Sequence, residues 1–397
     1  MIQRFENDAA ARTLTRRAVV TTTMIGAVAS ALPSIGLTKE AASRFKRIAQ
    51  APDLVWNGAV VTGGRLFASI PAWIGPTPGV VEVAADGSYK PYPGDRWNSW
   101  DGHNEPLKRF VDINSIFADA HGNLWVVDAA APNFGKGIPG AAKIVQVDLA
   151  SDQVVRTISL DGSVMGEHQR FGHLRIHGDH AILTESKTGA FVVVNLRDGS
   201  YRKILSGHPL MRCRPEDVPI IEGRRLERDG TPVYIHNDLL EIAPDGETLY
   251  FCCLFGRRMF AVPVAVLKDP SLDDAAIAAR VTVAFTFDRP WIAGMCRDAT
   301  GNLFMTDAEN NAVRLRTPNG GTRMLARDPE LIWPIAPSVD GKGRLYVTAT
   351  QLNRLPLFAG GEDRVKRPWL MFSLPVPTGG NPTDAPPPHN GDKLSTR

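Results

Sequence analysis

Residues 119–129 read DAHGNLWVVDA. This is a glycine-bearing turn, then an apolar run, then an acid. Gly122 suits a tight turn, and Leu124 through Val127 form a strand-like run. Acids are poor strand residues, so Asp128 marks where the strand stops. The phrase has five relatives: TGGRLFAS at 62–69, HGDHAILTES at 177–186, APDGETLYFCC at 243–253, DATGNLFMTDA at 298–308 and DGKGRLYVTAT at 340–350. Their anchor residues are Leu66, Leu124, Ile182, Leu249, Leu303 and Leu345, spaced at roughly forty to seventy residues, a repeat period.

Each copy follows another apolar stretch, and most precede further strand signals. KIVQVDL and VVRTISL follow the second copy, AFVVVNL and YRKIL the third, RMFAVPV the fourth, and NAVRLRT and TRMLA the fifth. About four strands per unit at such a period is the pattern of a β-propeller. The expected fold is therefore all-β: a six-bladed β-propeller with four-stranded blades, spanning residues 52–374. Helical periodicity is confined to SLDDAAIAAR at 271–280, read as one short helix.

The ends differ from this body. Arg16 and Arg17 precede a charge-free stretch, 18–38, that is too polar for a good membrane span. Paired arginines ahead of a mildly apolar segment suggest a twin-arginine-type export signal over 1–31, with Ala29-Ser30-Ala31 suited to cleavage. Residues 32–51 read as a lead-in. The Pro-rich tail 375–397 cannot build a core and is expected to be disordered. The expected location is periplasmic or extracellular, with no stable membrane anchor after cleavage and a monomeric chain.

The 397-residue chain is 43% hydrophobic and 22% charged, with a formal net charge of +3. Without a long basic run, a nucleic-acid surface is not indicated. The four cysteines are Cys213, Cys252, Cys253 and Cys296. Cys252 and Cys253 are neighbours on one expected strand and point to opposite faces. No Cys/His metal spacing occurs, so buried structural thiols are expected, with a disulfide involving Cys213 left open.

In a propeller the first strand of each blade lines the channel and the second runs back beside it. First-strand starts and second-strand ends therefore share one mouth, where polar groups can meet a ligand. Asp128, Glu185 and Asp307 end second strands. Asp112, Asn114, His173, Arg175, His236, Asn237, Asp238, Trp291 and Trp333 lie at first-strand starts. Two readings stand side by side. An Asp that ends a strand also caps turns, and a Trp between blades also packs. The ligand-binding candidates are Asn114, Asp128, Glu185, Asn237, Asp238, Trp291, Asp307 and Trp333; the catalytic candidates are His236, Asp238 and His173.

The string WNSWDGHNEPLKRFVDINSIFADAHGNLWVVDA resembles the second-blade region of the Yellow / major royal jelly protein family. So do GAAKIVQVDLASDQVVRTISL, SKTGAFVVVNLRDGSYRKILSGHP and DPELIWPIAPSVDGKGRLYVTATQLNRLP, while GRLFASIPAW with Trp73 resembles its first blade. The resemblance implies a secreted six-bladed propeller. It leaves the activity open, since some members resemble tautomerases of oxidised catechols and others bind amines in the channel. More distantly the chain resembles gluconolactonase-type propellers, whose divalent metal is held by a Glu, an Asn and an Asp. Carried over by phrase, those positions fall near Asn57, on Asp238 and on Ala293. The acid missing at Ala293 disfavours a divalent cation, and no cofactor is expected. The expected function is small-molecule binding in the channel, aromatic or amine. The alternatives are an isomerase of an oxidised catechol-like substrate, a lactonase-like hydrolase lacking part of its metal site, and a partner-binding scaffold.

Overall fold

The computed structural model describes residues 44–160 and 170–377, all within one contact unit that begins at residue 43. The other unit, 1–42, lies outside them, as do the expected export signal and residues 378–397 of the expected tail.

The repeated phrase folds as a tight hairpin, and its first Asp makes the turn. Asp119 accepts N–H bonds from His121 and Asn123, with Trp125 Nε1 donating at 2.7 Å. Asp298 accepts from Thr300 and Asn302, and Asp340 from Lys342 and Arg344, in the same pattern. Gly122 follows at φ 80°, a left-handed conformation that glycine adopts without a Cβ clash. Each turn sends the chain back antiparallel to the strand before it.

Among the described residues, six four-stranded antiparallel sheets form in chain order. Blade one comprises Gly58–Thr62, Arg65–Ser69, Val80–Val83 and Tyr89–Pro91. Blade two comprises Ile113–Ala118, Asn123–Asp128, Lys143–Asp148 and Gln153–Ser159. Blade three comprises Phe171–His177, His180–Glu185, Ala190–Asn195 and Tyr201–Ile204. Blade four comprises Asn237–Ile242, Thr248–Cys253, Arg258–Pro263 and Thr282–Thr286. Blade five comprises Ile292–Arg297, Leu303–Asp307, Ala312–Arg316 and Thr322–Arg327. Blade six comprises Pro334–Val339, Arg344–Ala349 and Trp369–Pro375, and its fourth strand is Lys46–Ala51 from the other end of the chain. The lead-in expected over 32–51 is thus corrected for its last six residues. Without them the edge of Trp369–Pro375 would carry a row of unpaired backbone groups.

First strands of neighbouring blades touch all the way round, blade six meeting blade one, so the ring is closed. Asn123–Asp128 is buried at five of its six positions because blades pack on both its faces, whereas Gln153–Ser159 at the rim alternates. The helix expected at 271–280 is Asp274–Ala278, capped by Asp273. A second short helix, Val264–Lys268, precedes it. Between blades three and four an insertion carries two small hairpins, Ile220–Ile221 with Arg224–Arg225 and Glu227–Arg228 with Thr231–Pro232.

Candidate ligand site in the central channel

Five of the six first strands carry a β-bulge near their start, between Ile113 and Ser115, Phe171 and Leu174, Asn237 and Leu239, Ile292 and Gly294, and Ile335 and Ser338. A bulge re-aims a side chain out of the ladder. Asn114, His173, Asp238, Ala293 and Ala336 occupy these bulges, and Asn57 holds the matching place just before Gly58. Neighbouring bulges touch. Asn57 Nδ2 donates to the Asn114 carbonyl at 2.5 Å, and Asn114 Nδ2 to the Gly172 carbonyl at 3.2 Å. A Cβ on Gly172 would come within 2.4 Å of Asp238 Oδ1. Glycine there leaves the space that the Asp238 carboxyl fills.

Second-strand hydroxyls brace this ring. Thr184 Oγ1 donates to the Asp238 carbonyl at 2.7 Å, and Thr348 Oγ1 to the Asn57 carbonyl at 3.1 Å. From a first strand, Ser115 Oγ donates to the Gly172 carbonyl at 2.6 Å.

Asp238 is 7% exposed, and its carboxyl has no hydrogen-bond partner among the described residues. Burial lifts its pKa to about 7, against the pull of the nearby Arg170 guanidinium. His173 on the neighbouring bulge is pushed down to about 3 by burial and by Arg175, so its ring is neutral. Asp112, just outside the ring, is lifted to about 6 by burial while Arg170 pulls it back. Its Oδ1 accepts the Ala72 N–H at 2.9 Å, and Arg170 Nη1 stands 3.8 Å from Oδ2. Arg170 also lies over the Phe134 ring, 4.9 Å from its centroid. Sequence reasoning passed over Arg170. It holds the same phrase position as Asp112, His236, Trp291 and Trp333, one residue before the strand, and a cation there was the available signal.

The other candidates are engaged elsewhere. Asp128, Glu185 and Asp307 are each 0% exposed. Asp128 accepts the N–H groups of Val111, Asp112 and Ala130 and pairs with Lys143 Nζ at 2.5 Å. Glu185 accepts from Lys187 and Thr188, with Lys203 Nζ at 3.5 Å. Asp307 accepts from Asn310 and pairs with Arg314 Nε at 2.7 Å. All three therefore cap their strand ends. Asn237 ties blade four to the Ala190 carbonyl. His236 accepts the Cys213 N–H through Nδ1 and stacks on Tyr234. Trp291 (2% exposed) donates to Asp288, and Trp333 (0% exposed) packs edge-on against Phe255. Neither ring offers a face to a ligand. Arg175 makes a two-bonded pair with Glu241, at 3.0 and 2.8 Å, further along the channel.

The mouth beside Asp238 is roofed. Trp73 of blade one meets Phe134 of blade two, and Phe134 meets Phe358 of blade six. The insertion reaches across to blade six, where Glu222 accepts bonds from Arg354 Nε at 2.9 Å, Arg354 Nη2 at 2.5 Å and Asn353 Nδ2 at 2.9 Å. Ile221 and Leu226 bury beneath this latch with Leu352 and Leu355. An open surface depression on the insertion is lined by Pro215, Val218, Ile220 and Arg225.

The family's sequence pattern matches residues 113–367, described as the major royal jelly protein. The chain belongs to the major royal jelly protein family. No curated protein matches the sequence closely enough to count as a relative. Its blades resemble those of a luciferin-regenerating enzyme, 12% identical with a TM-score of 0.53, over 85% of this chain and 96% of that one. A calcium-binding regucalcin from Agrobacterium tumefaciens is 14% identical with a TM-score of 0.50, over 84% of this chain and 96% of that one. A gluconolactonase from Xanthomonas campestris is 14% identical with a TM-score of 0.47, over 84% and 89%. At these identities the likeness is one of fold alone. Asp238 is the single acid at the matching bulges, Ala293 offers a methyl, and among the described residues no three His, Cys, Asp or Glu side chains converge.

Proposed function

We propose that the chain is an exported propeller that binds a small hydrogen-bond-donating molecule, an amine above all, in its channel, with Asp238 as the anchoring carboxylate. The observation that supports this reading is the state of that side chain. It is enclosed at the blade-four bulge without a partner among the described residues, and burial lifts it to about 7. Such a carboxyl has lost the hydrogen bonds of water and gained none from the protein. An ammonium group would restore them and favour the ionised form. Tryptophan ring faces are no part of this reading. Export to the periplasm or the exterior rests on the Arg16-Arg17 segment, and cell fractionation checks it.

Calorimetric titration with primary amines and phenols at pH 8 and pH 6 is the test. An amine is expected to bind. Its affinity should weaken as pH falls through 7, approaching tenfold per unit as Asp238 takes up a proton. Asp238→Asn should lose at least about tenfold. If nothing on the panel binds, or the variant titrates like the unaltered chain, the proposal fails.

One observation favours a second reading. A carboxyl titrating near neutrality, with a neutral imidazole on the next bulge, is suited to proton transfer. Asp238 and His173 would then move a proton within an oxidised catechol-like substrate. Aminochrome decay that runs at the uncatalysed rate in the presence of the chain would remove this reading.

A further inference from the structure

Two of the four thiols meet at the root of the insertion that roofs the channel. Cys213 follows the short helix Pro209–Met211, and Cys253 ends the second strand of blade four. Cys213 Sγ donates to the Ile235 carbonyl at 3.1 Å, and its backbone N–H donates to His236 Nδ1 at 3.1 Å. Cys253 Sγ donates to the Met211 carbonyl at 3.6 Å, and its backbone pairs with Asn237. Both sulfurs are thus held between the same two backbone segments, 211–213 and 235–237. The remaining cysteines stand apart. Cys252 points the opposite way into the central core, and Cys296 lies in the core of blades five and six.

We propose that Cys213 and Cys253 are a disulfide-forming pair that, once oxidised, staples the root of the roof to blade four. The oxidant is a low-molecular-weight disulfide such as oxidised glutathione. The thiolate of Cys213, the less buried of the two, attacks one glutathione sulfur and expels a glutathione thiolate. The Cys253 thiolate then attacks Cys213 Sγ, forms the S–S bond and expels the second glutathione. The cysteines lose two protons and two electrons, and the oxidant leaves as two thiols. Forming an S–S bond of about 2.05 Å requires the two side chains to turn from the Ile235 and Met211 carbonyls toward each other. The neighbouring Cys253 and burial both raise the Cys213 pKa, so closure is slow near neutrality and faster in mild alkali.

The full chain, reduced and then equilibrated with a glutathione redox mixture in mild alkali, is denatured, alkylated and mapped without reductant. The expected product has lost the mass of two hydrogen atoms. It carries one cross-link, Cys213 to Cys253, with Cys252 and Cys296 alkylated. Its thermal midpoint should rise by a few degrees over the reduced chain, and Cys253→Ser should show no rise on oxidation. Four alkylated thiols, a glutathione adduct left on Cys213, or Cys213 joined to Cys252 would each overturn the proposal.

Discussion

Asp128 and Asp238 are both buried acids near the same mouth, and their surroundings give them opposite roles. Asp128 is saturated: three backbone N–H groups and the Lys143 ammonium occupy its oxygens. Asp128→Ala would leave the Lys143 charge buried without its partner. The chain is expected to lose about 3–5 kcal/mol, read from urea unfolding; a loss under about 1 kcal/mol would refute the capping role. Asp238 has no such partners, and its folded pKa of about 7 lies above the unfolded carboxylate value. A raised pKa means that the folded state holds the proton more tightly. Its contribution is fully present below the unfolded pKa and is lost as pH rises through 7. Asp238→Asn removes that loss. Relative to the unaltered chain, the variant should gain on the order of 3 kcal/mol between pH 5 and pH 8. Unfolding curves with the same pH dependence for both chains would contradict it. Residue type alone could not separate these two acids, because the difference lies in which backbone groups converge on each.

At the scale of elements, the blade phrase and the roof have different origins. The phrase is local: an Asp that closes a turn, a glycine at positive φ and an apolar run. Such a hairpin is legible in sequence because its hydrogen bonds join residues within a few positions of one another. The roof is non-local. Glu222 meets Arg354 and Asn353 from the far side of the chain, and Trp73, Phe134 and Phe358 come from three blades. No periodicity announces such contacts. Glu222→Ala should loosen the hairpin without unfolding the blades. Backbone hydrogen exchange over residues 219–233 is expected to speed up by about tenfold while blade strands keep their protection. Unchanged exchange there would show that buried Ile221 and Leu226, rather than the latch, hold the roof. If the roof is the entrance, the same variant should bind an amine ligand faster.

At the scale of the molecule, closure joins the two ends of the described chain. Lys46–Ala51 pairs with Trp369–Pro375, and the blade-six edge is covered only by that pairing. A chain starting at residue 52 is expected to expose this edge, unfold with a broader calorimetric transition and associate in size-exclusion chromatography. A truncated chain that stays monomeric with an unchanged transition would refute the clasp. The six phrases by themselves determined the blade number and the four-strand unit, because the turns and apolar runs of blades one to five are each written within a single repeat. The placement of Lys46–Ala51 was hidden, since its partner lies some three hundred residues away and a six-residue strand carries no repeat phrase. The site divides in the same way. Sequence brought Asp238, His173 and Asn114 to first-strand starts. Only the tertiary structure decided that they, with Asn57, share a ring of bulges while Asp128, Glu185, Asp307, Trp291 and Trp333 turn into the protein. Direction at a bulge, and the partners that silence a charge, come from packing between blades rather than from the order of residues along one.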